Sequence, residues 1–454
     1  MMLILGKMYA FNIVLVLALC GLLHTTTSSR VLELSDRFVD LRNDGQWLVM
    51  FYAPWCAHCK RLEPVWAHVA QALHHTTIRV GRLDCTRYTH IATKFKVQGF
   101  PTIMFLKGEQ DHIYHGDRTK EELLAFAHRM KGPPVQVIPR HEVLTNLKNS
   151  VNVFFVYVGK QNGALWKSFH SISEVFQPHC FFYAASHEVS KEHFPLIEDH
   201  APTVFVIKEK DHYKFTCNLP YYFISLYFRT NILLFPDDSF SSSILNETLY
   251  QWVNEERFGT FPKVTRGNIN QILQTKKYIV LAVVEENKLN EIEANQLEFR
   301  DMVESVIRQR REQFHSTFQF GWIGSPELAN SIAMSDLPVP HLLVLNSTTS
   351  HHHLPQDEPA RLTHDALVVF LEQIGNQSAP TYGGNSFPVR MYRAYFEART
   401  TLSDMWHGNP VLTAVLFGLP CGFLGLICYS ICCADILDAD EEDSDNDDGH
   451  EKKE

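Results

Sequence analysis

The sequence predicts an α/β chain of three similar units in tandem, followed by a single transmembrane helix. Three observations predict it. Apolar strand-like runs alternate with helical periodicities through most of the chain, as in layered sheets flanked by helices. A proline stands before the third principal strand of each unit, in Phe100-Pro101-Thr102, Ala201-Pro202-Thr203 and Val339-Pro340-His341, which marks a repeat of about 120 residues. Pro410 to Ala434 carries no charge and is long enough to span about 30 Å of hydrocarbon.

Residues 1–29 read as a secretory signal peptide, with Lys7 as the basic start, Met8 to Leu23 apolar and Thr25 to Ser29 small. The first unit, 30–132, opens with the strand Trp47–Tyr52. Leu62, Val65, Trp66, Val69 and Leu73 then recur at helical spacing. Thr77–Asp84 is a second strand, and Pro101–Leu106 and His112–His115 pair around Lys107-Gly108. A helix over Thr119–Met130 closes the unit, with Thr119 placed to cap Glu122.

The second unit, 133–258, repeats this outline with strands at Val153–Val158, Cys180–Ala184 and Thr203–Ile207, then a helix at Leu249–Arg257. It carries an apolar insertion at 217–245, either packed on the surface or a sticky patch for unfolded chains. The third unit, 259–378, gives Tyr278–Val284, a charged helix over Phe299–Phe314, Phe318–Trp322, His341–Leu345 and a helix over Thr363–Ile374. Residues 379–409, loose in Pro, Gly, Ser and Arg, read as a juxtamembrane stalk. The transmembrane helix spans 410–434, and 435–454 is an acidic cytosolic tail.

A cleaved signal followed by one apolar helix predicts a single-pass type I arrangement, with everything before Pro410 in an oxidising lumen. Three acceptor sequences for N-glycosylation, at Asn246, Asn346 and Asn376, fall on that side. Lys452-Lys453 partly matches a dilysine retrieval signal of the endoplasmic reticulum, or is a solvated end. Cys432 and Cys433 are candidates for palmitoylation, or small apolar helix residues. The net charge of −10 owes much to the tail, and no basic block interleaved with aromatics occurs, so nucleic acid is not an expected partner.

Chemistry concentrates in Trp55-Cys56-Ala57-His58-Cys59, a C-x-x-C between an apolar strand and a helix. Cys56 would cap the helix, where free N–H groups and the helix dipole favour a thiolate. His58 could add positive charge beside it. Cys59, one turn further, would resolve the mixed disulfide that Cys56 forms. A zinc site needs a second ligand pair, and no other C-x-x-C precedes the transmembrane helix. No metal or cofactor is expected beyond the dithiol itself. Cys85, Cys180 and Cys217 read as buried thiols, with a Cys180–Cys217 disulfide open, and His351-His352-His353 reads as a solvent loop.

Tyr52-Ala53-Pro54-Trp55-Cys56-Ala57-His58-Cys59-Lys60 with Gly99-Phe100-Pro101-Thr102 resembles the protein disulfide isomerase family. The signal, three units and membrane helix resemble its membrane-anchored, thioredoxin-related transmembrane branch. The resemblance implies tandem thioredoxin-like folds, one active and two inactive, since the second and third units have no C-x-x-C. It implies a thiol–disulfide oxidoreductase or isomerase in the endoplasmic reticulum membrane, its partners unfolded or misoxidised secretory polypeptides and glutathione or another oxidant of that compartment.

It further implies that Cys56 is the nucleophile and Cys59 the resolver. Pro101 matches a cis-proline facing the dithiol. Trp55, Phe100 and Pro101 would meet the client, and Arg118 matches an arginine that lowers the resolver's pKa. Two departures stand beside the motif. Ala57 replaces a glycine, and Met50 replaces a buried acid that relays the resolver's proton. Met50 leaves a second reading open: a membrane-tethered client-binding protein with a slow or vestigial dithiol.

Overall fold

The computed structural model describes residues 30–194, 202–216, 238–287, 289–356 and 362–442. The expected signal peptide, Cys217 with most of the expected apolar insertion, and the charged end from 443 lie outside the described residues. The chain divides into two compact units, Met1–Thr275 and Lys276–Glu454.

The first compact unit holds two sheets. In one, β1 (Leu32–Leu34), β2 (Gln46–Tyr52), β3 (Ile78–Asp84), β4 (Thr102–Lys107) and β5 (Gln110–Ile113) take the order β1-β3-β2-β4-β5. The β1/β3 and β2/β3 pairs are parallel, and β2/β4 and β4/β5 antiparallel. Central β2 is apolar from Trp47 to Tyr52, and buried from Trp47 to Phe51, as suits a strand covered on both faces. The helices Ala57–Leu73 and Lys120–Lys131 bring Leu62, Trp66, Val69, Leu73, Leu123 and Phe126 onto one face, and Phe38, Ile91 and Phe95 close the other. Buried Trp66 donates its indole N–H to the Gly81 carbonyl at 3.2 Å. Thr119 caps the second helix as expected, its hydroxyl accepting from the Glu122 N–H at 3.3 Å.

The second sheet is built from β6 (Val135–Ile138), β7 (Val153–Val158), β8 (Phe181–Ala185), β9 (Thr203–Lys208) and β10 (Asp211–Lys214), in the order β6-β8-β7-β9-β10. This is the first sheet's order repeated strand for strand, so the internal repeat is real. The last helix of this domain, Asp238–Glu256, starts well before the expected Leu249. Where its end meets β9, Lys208 and Glu256 form a buried ion pair at 2.7 Å. Two paired charges inside a core contribute little net stability, but one left alone is costly. Glu256→Ala is therefore expected to destabilise the domain by about 3–5 kcal/mol, whereas replacing both by Met and Leu stays near neutral. Denaturant titration of the two variants checks this.

The expected border at 258/259 is displaced: residues up to Thr275 cluster with the first compact unit. The reason is a strap of polar contacts. The Thr265 hydroxyl meets the Asp117 carboxylate at 2.7 Å, and the Gln271 amide donates to the His115 carbonyl. Sequence periodicity does not register hydrogen bonds of this kind.

The second compact unit contains β11 (Tyr278–Val283), β12 (Phe318–Ile323), β13 (His341–Asn346), β14 (His351–His353) and β15 (Tyr382–Gly383), ordered β12-β11-β13-β14-β15. Its first four strands follow the same plan as β3-β2-β4-β5. Here the structure corrects two expectations. His351-His352-His353 is not a solvent loop but strand β14, with His352 and His353 buried. Burial, then the neighbouring His353 and Arg393 charges, hold His352 down at about 4, so it is neutral. Residues 379–409 are not loose throughout, because Phe387–Gly408 is a helix. A second helix, Pro410–Glu442, follows, and its stretch Pro410–Ile431 has the length and a mean hydropathy (2.3) that suit a membrane span.

Candidate active site

The site sits where β2 runs into the helix Ala57–Leu73. Strand β2 ends at Tyr52, and the chain turns through Ala53, whose carbonyl accepts from the Cys56 N–H at 3.0 Å. Cys56 takes the N-cap with φ −73° and ψ 113°, and its sulfur accepts from the Cys59 N–H at 3.3 Å. The helix's unpaired N–H groups are thus aimed at a sulfur, where they favour the anion. Both cysteines are free thiols, and both are buried.

The two thiols are tuned apart. Burial raises Cys56, but hydrogen bonds from the Cys59 thiol and from the Cys59 and His58 backbone N–H, with the Arg118 charge, outweigh it and bring it below the ordinary thiol range. Burial pushes Cys59 up to about 11, and its hydrogen bond to Cys56 adds to this. The pH dependence follows from those directions. One thiol alkylates with iodoacetamide along a curve shifted to lower pH than free cysteine. The second stays unreactive until the pH nears 11. Stopped-flow alkylation of Cys56→Ser and Cys59→Ser variants assigns the two curves.

Phe100–Pro101 is a cis peptide, and the Cys56 thiol donates to the Phe100 carbonyl at 3.7 Å. Trp55 is 72% exposed and stands edge-on to the Phe100 ring at 6.1 Å. The structure therefore brings Trp55, Cys56, Cys59, Phe100 and Pro101 together, with an open aromatic edge beside the reactive sulfur. Arg118 joins them from the loop before the helix Lys120–Lys131. Its guanidinium donates to the Pro101 carbonyl at 3.2 Å, and its charge favours the thiolate at both cysteines. Arg118→Leu is expected to slow alkylation of Cys56 at neutral pH severalfold, because the charge that favours its thiolate is lost, with partial recovery in Arg118→Lys.

His58 contributes differently from the sequence expectation. It acts on Cys56 through its backbone N–H, while its imidazole is exposed, with Nδ1 2.9 Å from the Arg61 guanidinium. Sequence reasoning missed Tyr52, which packs against the cluster formed by Ala53, Cys56 and Cys59. Its place directly before the motif was the available signal. Met50 is fully buried in the cluster that holds Leu62 and Trp66, the residues following Cys59 on the helix's inner face. Glu63 is tied to Arg82 at 3.0 Å.

The remaining candidates scatter. Cys85 and Cys180 are buried thiols, pushed by that burial to about 12 and about 11 respectively. Asn246 lies within the helix Asp238–Glu256, Asn346 ends β13 with its side-chain oxygen accepting from Thr348 N–H at 2.9 Å, and Asn376 is exposed at a helix C-cap. Among the described residues no cluster of His, Cys, Asp or Glu is arranged to hold a metal ion.

Comparison with known proteins gives the family. The thioredoxin family model matches residues 32–129. The chain is 33% identical over 417 residues to protein disulfide-isomerase TMX3 of Xenopus laevis, covering 91% of this chain and 85% of that protein. It is 32% identical over 405 residues to protein disulfide-isomerase TMX3 of Homo sapiens, covering 89% and 82%. A crystal structure of human ERp44 is 15% identical and covers 78% of this chain and 91% of that one, with a TM-score of 0.34. The chain belongs to the TMX3 family of protein disulfide-isomerases, thiol–disulfide oxidoreductases with a thioredoxin domain.

Proposed function

We propose that this chain is a single-pass type I protein of the endoplasmic reticulum membrane, its residues ahead of Pro410 lumenal, that oxidises or isomerises disulfides in folding secretory polypeptides. Cys56 is the nucleophile. Its thiolate attacks one sulfur of a client disulfide, the client S–S bond breaks, and the second client sulfur leaves as a thiolate. Isomerisation follows when another client thiolate attacks the mixed disulfide and frees Cys56. Otherwise Cys59 loses its proton and attacks the Cys56 sulfur, which releases a reduced client and leaves a Cys56–Cys59 disulfide. Run in reverse from that disulfide, the same steps oxidise a client dithiol, and glutathione disulfide or another lumenal oxidant restores it. The reaction needs no metal or cofactor.

Trp55, Phe100 and Pro101 receive the client as an extended segment, with the exposed Trp55 ring as its first contact. Arg118 favours the thiolate at both sulfurs. Asn376, exposed at its helix end, is the best presented of the three glycosylation acceptors, and Asn246, within a helix, the least.

One observation carries this reading: two thiols one helical turn apart, one below and one above the ordinary range, beneath an open aromatic edge. The glutathione redox equilibrium of the full chain in detergent tests it. A Cys56–Cys59 disulfide forming at about −180 mV supports an oxidase or isomerase. A pair that resists exchange, or equilibrates over hours, favours the second reading: a membrane-tethered client-binding protein with a slow dithiol. Met50, apolar and fully buried beneath the motif, is the observation behind that alternative.

A further inference from the structure

The helix Phe387–Gly408 carries an amphipathic pattern that the active site does not use. Its exposed large apolar residues are Phe387, Met391, Tyr392, Tyr395, Leu402 and Trp406. At about 100° per residue, Phe387, Met391, Tyr395, Leu402 and Trp406 fall within an arc of about 100°, with Tyr392 on its margin. Phe396 is buried and Arg393 donates to the Gly384 carbonyl, both on the opposite side of that wheel. The helix thus packs by one face and leaves an aromatic-rich face bare. Phe387 is 75% and Tyr395 62% exposed, more than a helix surrounded by water needs to show.

What adjoins this face settles its occupant. Helix geometry breaks at Asn409 (φ −156°, ψ 86°), and a new helix begins at Pro410, the start of the candidate span. The break is held: the Asn409 side-chain oxygen accepts from the Leu412 N–H at 3.2 Å, and the Thr413 hydroxyl donates to the Met405 carbonyl at 2.9 Å. A helix joined through such a corner to a membrane span lies within reach of that membrane's surface. Trp and Tyr favour the headgroup level, and Arg399 beside them suits lipid phosphates.

We infer that Phe387–Gly408 is an interfacial helix, lying along the leaflet that Pro410 enters with Phe387, Met391, Tyr395, Leu402 and Trp406 seated at the headgroup–acyl boundary. This rests on the membrane-anchored reading proposed above. It makes the segment a fixed mount that sets the height and tilt of the preceding domain over the bilayer.

The test uses the full chain in phosphatidylcholine vesicles with a photo-crosslinking phenylalanine analogue at one position per sample: Tyr395 on the bare face, Glu397 on another face, or Val415 within the span. The inference expects lipid adducts from position 395 within about threefold of position 415 and about tenfold above position 397. Lipid adducts from 415 with none from 395 overturn it while the span stands. Equal adducts from 395 and 397 also overturn it, since no face would then be selected. Absence of adducts at 415 overturns the membrane anchor and the inference together. Circular dichroism of each labelled chain verifies that it is folded.

Discussion

A Cys59→Ala chain is expected to accumulate as mixed disulfides with its clients, while Cys56→Ser captures none and loses turnover by two orders of magnitude or more, about the scale of deleting a nucleophile. The asymmetry follows from the geometry. Cys56 caps a helix and receives N–H hydrogen bonds, so it is the sulfur that can meet a client as a thiolate. Cys59 is 1% exposed and is hydrogen-bonded to the Cys56 sulfur, so a client cannot meet it directly. Removing Cys59 therefore leaves attack intact and deletes release. The measurement is a non-reducing gel after acid quenching and alkylation, on the full chain with a disulfide-containing client. Adducts that form equally in Cys56→Ser sink the assignment. Full retention of cellular function by Cys56→Ser would instead hand the protein to the client-binding reading.

Much of this was legible in the sequence because it depends on local pattern. Strand β2 follows from an uninterrupted apolar run, the helix after it from Leu62, Trp66, Val69 and Leu73, and the Thr119 cap from its spacing to Glu122. The dithiol and the proline facing it announced themselves as motifs, and the structure places Cys56, Cys59, Phe100, Pro101 and Arg118 together. What escaped depends on contacts distant in the chain. The triplet His351–His353 looks polar, but pairing of β14 with β13 and β15 buries two of its rings and keeps His352 neutral. The strap from Thr265 and Gln271 moves the unit border past 259 through hydrogen bonds to Asp117 and His115. The helix Phe387–Gly408 was masked by Pro388 and neighbouring glycines, although a proline in the first turn of a helix breaks nothing. His58 matched its motif, yet acts on the sulfur through its backbone, which no side-chain rule anticipates.

Met50→Glu is expected to shorten the lifetime of the mixed disulfide about tenfold or more, since a well-placed general base contributes about 10²–10⁴-fold. In the reduced pair burial, above all, pushes Cys59 up to about 11, and that burial persists in the mixed disulfide, so release waits on removal of the Cys59 proton. Glu63, which follows Cys59 by one turn on the helix, is paired with Arg82, as is Glu33. Met50 belongs to the same buried cluster as Leu62 and Trp66, just inside Cys59 on the helix, and it cannot accept a proton. A carboxyl there would be desolvated and its pKa raised toward neutrality, which suits it to take the Cys59 proton and return it. The same burial has a cost of about 2–4 kcal/mol in stability, because a polar group replaces an apolar one without a partner. Met50→Gln separates the two effects. It should carry the same stability loss, read from the thermal unfolding midpoint, with no faster release. Pre-steady-state decay of a Cys56 mixed disulfide measures the rate. If Met50→Glu and Met50→Gln decay alike, the proton leaves Cys59 by another route, and the slow-dithiol reading loses the residue on which it stands.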